Sequence, residues 1–433
     1  MTKSLSHTSA DRAIEQFRRA VKMGHELGIT QQLIEDDKFQ GDTITLGGRE
    51  VVNFGLCSYL GLGDDPRLVD AAIDAVTRYG NSYSSSIAYS ALPMYGELRE
   101  KLGAMLGGAA VTIAGTTTLA HLAALPVLVR RGDLVVVDAL AHASLLSVLP
   151  ILQSNGAIVI QAPHNDLGAV SEYASSAEGR TWYVIDGLYS MKGDTAPAEE
   201  INQLLRTHPE LWVYCDDAHG LGWSGVTGRG QFLERAGWHD RLVMAFGLAK
   251  SFGTMGGVVA SRNEDLIEEI TLTGGPMVFG GPVPPAILGA SIASADIHLS
   301  DELPGLQGEL LERIRHVNSF ARSIGLPLGV TEETPLWFAE IGPTMATIST
   351  VVAMRKSGYF INGAVFPAVP RGRGGVRFTV TRYLEDHQIE GMLTRLNELR
   401  IEYQGHEDMV DVTAFEDEQA DLEGSADPGP IPQ

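Results

Sequence analysis

Apolar positions in this chain follow two rhythms. From about Ser9 to Leu27, Ile14, Phe17 and Val21 recur at helical spacing among Arg18, Arg19 and Lys22, which predicts an amphipathic helix packed on another surface. A short strand pair is expected around Thr43 to Val52. From there to about Ala295 short apolar runs alternate with helical stretches. Leu134–Asp138, Trp182–Asp186 and Leu211–Asp216 are examples. Such runs, apolar at nearly every position, predict strands covered on both faces, hence an α/β fold with a mostly parallel sheet.

After Pro285 the rhythm changes. A long helical run from about Ala286 to Ser323 leads into a smaller α+β region. Strands are expected at Leu336 to Ile341 and Val376 to Val380, and helices near Thr344 to Gly358 and Asp386 to Tyr403. No internal repeat is visible. The expected organisation is an N-terminal helix with short strands over 1–50, a large α/β domain over 51–295, a small C-terminal α+β domain over 296–405, and a tail over 406–433.

Charge refines this picture. Between Glu407 and Gln433 there are nine acids and no Lys or Arg, so that stretch reads as a solvated, disordered tail, with partner docking as its functional alternative. The whole chain of 433 residues carries a formal charge of −22, which argues against a general nucleic-acid binder. Its length suits two or more domains. Cys57 and Cys215 stand far apart and in no metal-ligand spacing, as expected of a reducing compartment with no disulfide framework and no metal site. Met1 to Ala20 shows no apolar signal core, and the most apolar stretch, Leu134 to Leu152, is interrupted by Asp138, His142 and Pro150. A cytoplasmic enzyme is expected.

The candidate chemistry centres on Lys250, set in Ala245-Phe246-Gly247-Leu248-Ala249-Lys250-Ser251-Phe252-Gly253. A lysine among apolar and small residues must be paired, neutralised or bonded. A Schiff base does this by giving the amine's charge up to a carbonyl. Upstream, Asp216-Asp217-Ala218-His219 follows an apolar strand. Three strands end in Asp, and the carboxyl ends of open α/β sheets are where ligands bind. Asp138 is explained well enough as a turn residue. Asp216 points to pyridoxal phosphate, whose aldehyde a lysine holds and whose ring nitrogen an acid keeps protonated. The phosphate would need backbone N–H groups at a helix start with small hydroxyls. Gly115, Thr116 and Thr117, with Thr118, ahead of a helix-like Leu119 to Val129, provide them, though a helix cap that binds nothing would look the same.

These stretches carry a wider resemblance. Tyr59-Leu60-Gly61-Leu62, Asp138 with His142-Ala143-Ser144, His164-Asn165-Asp166, Gly187 to Pro197, Asp216 to His219, Gly225 to Gly230, Phe279 to Pro285 and Val376-Arg377-Phe378 occur in the order and spacing of one family. The chain resembles, from about Val51 to Glu402, the α-oxoamine synthases, pyridoxal-phosphate enzymes of fold type I. The resemblance implies a large domain with a mostly parallel sheet, a smaller C-terminal domain and a homodimer with active sites at its interface. It implies that Lys250 forms the Schiff base and moves the α-proton, that Asp216 pairs with the pyridine nitrogen, that His142 stacks on the ring, and that His219 bonds its phenolic oxygen or the incoming carbonyl. It implies too that Arg377 grips the substrate carboxylate. A turn-capping histidine and a surface salt bridge are the plain alternatives for His219 and Arg377.

The departures from the family cluster around substrate and phosphate. Its usual Asn before Tyr-Leu-Gly-Leu is Ser58 here. Its Ser-Arg pair becomes Tyr83-Ser84-Ser85-Ser86-Ile87, with no arginine. A histidine is replaced by Tyr95, a phosphate-binding Thr by Gly247, and the hydroxyls lent by the neighbouring subunit by Gly280 and Gly281. Ser58 and Tyr83 are therefore the candidate substrate-binding positions, and a specialised biosynthetic branch is expected. The activity implied is condensation of an amino acid with an acyl thioester, on CoA or a carrier protein, to an α-amino ketone. An aldolase or aminotransferase of the same fold is the alternative. A catalytically silent partner subunit, the third possibility, would lack the lysine that this chain has.

Overall fold

The computed structural model describes residues 9–27, 29–38, 41–366 and 368–403. The acidic tail expected over 406–433 lies outside the described residues. A helix runs over Ser9–Glu26. Strands β1 (Thr43–Leu46) and β2 (Arg49–Asn53) pair antiparallel. Their two-residue turn, Gly47-Gly48, has φ of 58° and 71°. This left-handed pair suits hairpin closure and is open to glycine without strain.

The central sheet contains β3 (Ala110–Ala114), β4 (Leu134–Asp138), β5 (Ile158–Ala162), β6 (Thr181–Asp186), β7 (Leu211–Asp216), β8 (Leu242–Gly247) and β9 (Gly257–Ser261), in the order β3-β9-β8-β7-β6-β4-β5. β5, β4, β6, β7 and β8 run parallel, and β9 is antiparallel to both of its neighbours. Alternate residues face opposite ways. Val135, Val137, Trp182, Val184, Tyr214 and Val243 build one apolar core. Val136, Tyr183, Ile185, Val213, Cys215 and Met244 build the core on the other face. Burial on both faces explains why the parallel strands read as unbroken apolar runs, and each fully buried aliphatic contributes about 1.5–3 kcal/mol.

A second sheet of three antiparallel strands, β10 (Leu336–Gly342), β13 (Gly374–Thr379) and β12 (Asn362–Ala364), carries a separate core with the helices Leu303–Ser323 and Asp386–Tyr403. Between them in sequence, β11 (Tyr359–Phe360) crosses to pair with β2. The single helical run expected from Ala286 to Ser323 is broken: one helix spans Pro285–His298 and the next Leu303–Ser323. Ser300 closes the break, its hydroxyl donating to Ile297 O at 2.7 Å and accepting from Glu302 N at 3.2 Å. Pro304, in the first turn of the second helix, has no N–H with which to continue the first. No helix among the described residues is long and apolar enough to cross a membrane.

Candidate active site

Parallel strands place their carboxyl ends on one rim. There Asp186 of β6 is in register with Asp216 of β7, and Asp216 with Ala245 of β8. A cavity of about 270 Å³ opens at this rim, lined by Thr116, Thr117, Thr118, His142, Ser144, Asp186, Leu188, Asp216, Ala218, His219, Ala249, Lys250, Met255 and Gly256. Its volume lies close to the lower limit, roughly 300 Å³, of ordinary small-molecule sites. Lys250, His142, Asp216, His219, Thr116 and Thr117 thus meet around one space. Gly115, Ser58, Tyr83 and Arg377 are not part of its wall.

Asp216 is the buried anion of the site. Its Oδ1 accepts from Ala218 N at 3.0 Å. Its Oδ2 lies 2.9 Å from Nε2 of His121, whose Nδ1 lies 3.0 Å from the Tyr214 hydroxyl. Burial opposes ionisation of Asp216, but the charge and hydrogen bond of His121, with the charge of Lys250, hold its carboxyl below the usual range. Asp186 moves the other way. Burial and the neighbouring Asp216 charge push it well up, against the N–H that it accepts from His142 at 3.1 Å. Two adjacent carboxylates are split by their environments, one pushed down and the other pushed up. Asp217 follows Asp216, and burial with that same charge pushes it up to about 7.

His121 was not legible as a site residue. It is fully buried on the helix Thr117–Leu128 among Ala120, Ala123 and Ala124. The available signal was a polar side chain inside an otherwise apolar helix, which must have a partner.

His219 is buried, and its Nδ1 lies 2.7 Å from the hydroxyl of Tyr59, itself fully buried. Burial, and then the charges of Lys250 and Arg377, drive the imidazole's pKa well below 6.5, so it is neutral. His142 caps a short helix, with Nδ1 accepting from Ser144 N at 3.2 Å and lying 2.7 Å from Ser144 Oγ. Burial lowers its pKa as well. Asp138, expected to be a turn residue, accepts from Leu140 N and Asn165 N, each at 2.8 Å, and pairs with His164 Nδ1 at 2.9 Å.

The threonines open the helix Thr117–Leu128 two residues earlier than the Leu119 start expected, because Thr116 Oγ1 accepts from Leu119 N at 3.1 Å. Gly247 lies against them. A Cβ there would sit 2.9 Å from Thr117 Oγ1 and 3.1 Å from Ala218 Cβ. A side chain at 247 and the Thr117 hydroxyl compete for one place, and this chain has kept the hydroxyl.

Tyr83 packs on the main core with its hydroxyl buried beside that of Tyr95. The Tyr95 hydroxyl accepts from Val283 N at 2.6 Å and so anchors the loop after Gly281. Ser58 closes a turn through its carbonyl, which accepts from Gly61 N at 2.7 Å. Arg377 on β13 donates from Nε to Ser190 O at 2.6 Å and from Nη2 to Cys57 Sγ at 3.3 Å.

The residues fit pyridoxal phosphate. An amine with no protein partner among the described residues faces a carboxylate held ionised, and two imidazoles flank the same cavity. Thr117 and Thr118 line the wall at the N-terminus of a twelve-residue helix, where backbone N–H groups favour a phosphate.

Residues 49–395 match the aminotransferase class I and II family. The 8-amino-7-oxononanoate synthase of Geobacter metallireducens is 31% identical over 84% of this chain and 93% of its own length. The putative 8-amino-7-oxononanoate synthase of Parvibaculum lavamentivorans is 30% identical over 86% and 93%. Among solved structures, the serine palmitoyltransferase of Sphingomonas wittichii superposes with a TM-score of 0.82 at 22% identity, covering 92% of this chain and 99% of that one. At that identity the likeness shows the fold, a type I pyridoxal-phosphate transferase.

Proposed function

The chain belongs to the α-oxoamine synthases within the aminotransferase class I and II family, and from that premise we propose how its residues divide the work. It is a pyridoxal-phosphate-dependent acyltransferase that joins an amino acid to an acyl thioester and releases an α-amino ketone, a thiol and, where the carboxylate is lost before the proton returns, carbon dioxide. The relatives are named as synthases, and the aldolase or aminotransferase alternative finds no support in them.

When bound, pyridoxal phosphate supplies an aldehyde for covalent attachment and a ring that draws electrons from the substrate's α-carbon. The amine of Lys250 is the attachment point and afterwards the base that takes and returns the proton at that carbon. Asp216 would accept a hydrogen bond from the protonated ring nitrogen, and His121 keeps the carboxylate ionised for that task. The neutral imidazoles of His142 and His219 orient the ring and the reacting carbonyl. Tyr59 fixes the His219 ring. Thr117, Thr118 and the N–H groups beyond Gly115 hold the phosphate, and Arg377 takes the amino acid's carboxylate.

One observation carries this reading: an amine without a protein partner among the described residues shares a cavity at the sheet's rim with a buried carboxylate that its neighbours keep ionised. Purified protein supplied with the cofactor should release thiol only when both an amino acid and an acyl thioester are present. Production of a keto acid with no thiol release would replace this reading with a transamination.

We further infer a homodimer. Phe279 is 87% exposed, and Met255 and Leu119, 49% and 37% exposed, adjoin the cavity wall, a placement that suits a second subunit. Light scattering should return twice the chain mass. The division near residue 295 into a large and a small domain fits the two sheets, with the helix Pro285–His298 contributing to both cores. Acyl-CoA or an acyl-carrier protein is the donor, in a specialised biosynthetic branch, and a cytoplasmic setting suits two cysteines that are both free.

A further inference from the structure

The side-on edge of Arg377 is already occupied. Its Nε donates to Ser190 O and its Nη2 to Cys57 Sγ. No other protein acceptor engages the guanidinium among the described residues, so Nη1 and the second N–H of Nη2 remain. Those two donors form the end-on fork that binds a carboxylate with two parallel bonds.

Cys57 is brought there by backbone pairing rather than by its own side chain. Thr379 N donates to Phe54 O at 2.8 Å, the Thr379 hydroxyl bonds Leu56 O, and Asn362 Nδ2 donates to Gly55 O at 3.1 Å. The segment 54–57 is thereby laid along the end of β13, and Arg377 lies on the same face of that strand as Thr379. Cys57 also lies beside Tyr59, whose hydroxyl meets His219. A line of side chains therefore runs from the guanidinium through Cys57 and Tyr59 to an imidazole on the cavity wall.

We propose that Cys57 is the positioning residue that sets the Arg377 fork for the amino acid's carboxylate, and that the guanidinium beside it makes this flank select anions. The proposal rests on the carboxylate role of Arg377 proposed above. A sulfur acceptor is weak. It fixes the plane of the guanidinium while leaving most of the cation's demand for an anion unmet.

Kinetics and chemical labelling test this together. Cys57→Ala should raise KM for the amino acid roughly three- to ten-fold, the size expected for one hydrogen bond of ordinary net strength, the sulfur being a weak acceptor. kcat and the thioester KM should move by less than two-fold, and Cys57→Ser, which restores an acceptor, should recover most of the loss. Equal changes in KM for both substrates would mark a purely structural role and overturn the proposal. The labelling arm uses the holoenzyme. Cys215 is fully buried, so alkylation reports Cys57, whose sulfur displaces iodide. Iodoacetate should gain on iodoacetamide at least ten-fold relative to the ratio for free glutathione, and Arg377→Met should abolish that gain. A ratio equal to that of glutathione in the parent protein would contradict the proposal. If the anion preference holds and no amino acid protects Cys57, then the carboxylate role of Arg377 fails while the Arg377–Cys57 pair stands.

Discussion

The rim of the large sheet and the arginine flank use opposite means to hold charge. At the rim Asp186, Asp216 and Lys250 sit on strand ends or the turn after one, and Asp216 has both oxygens bonded, one through His121 to Tyr214. The flank sets Arg377 with two contacts, Ser190 O and Cys57 Sγ, both from loops far away in sequence. The rim is preorganised, as a charge-developing step requires. The flank binds without reacting, and it can change with the substrate while the chemistry stays the same.

The largest expected effect is at the rim. Lys250→Ala should cost about ten-thousand-fold in thiol release for every amino acid tried, since it removes both attachment point and base. Asp216→Asn should follow, with a loss of roughly a hundred- to a thousand-fold in kcat at little change in amino-acid KM. An Asp216→Asn variant that altered KM alone would dissolve the distinction between rim and flank.

His121→Leu sharpens the comparison from behind the site. It should lower kcat about ten- to a hundred-fold and cost about 3–5 kcal/mol of stability in a denaturant titration, because it strands a buried carboxylate. His121→Asn, able to donate to Asp216, should recover part of both. Unchanged stability in His121→Leu would mean that Asp216 is not held ionised by this pair.

How much of this was legible in the sequence followed the same divide. The strand-end acids, Lys250 and the threonine turn could be read because local pattern places them: an apolar strand followed by a polar residue puts that residue on the rim. Tyr59, His121 and Cys57 could not, because their roles come from contacts across 160, 95 and 320 residues. Arg377 was named from family resemblance, but its two anchors depend on how the 54–57 segment lies against β13. The helix expected over Ala286–Ser323 was misjudged because apolar periodicity continues across a break set by one serine and one proline.

A smaller effect separates the rim from the loop that carries Ser190. His164 bridges Asp138 at 2.9 Å and Asp194 at 2.5 Å. Burial opposes its protonation, but these two carboxylates win and raise its pKa from 6.5 to about 9. A raised folded-state value means that the bridge's stabilisation is complete below about pH 6.5 and is lost as pH climbs to about 9. Thermal melts should fall across that window by the equivalent of about 2 kcal/mol, the roughly 3.4 kcal/mol of the full shift reduced by solvent screening of a half-buried pair, and His164→Gln should flatten that part of the profile.

The smallest effect expected is at Gly247. Gly247→Thr should weaken cofactor retention a few-fold by displacing the Thr117 hydroxyl, measured by equilibrium dialysis. Tighter retention would show that the two hydroxyls can share the site.

Borohydride reduction of the cofactor-loaded protein, followed by peptide mass mapping, bears most directly on the centre of this account. The pyridoxyl group should be found on the peptide containing Lys250 and on no other lysine. An unmodified Lys250 peptide in saturated protein, or a label fixed elsewhere, would contradict the assignment of that amine.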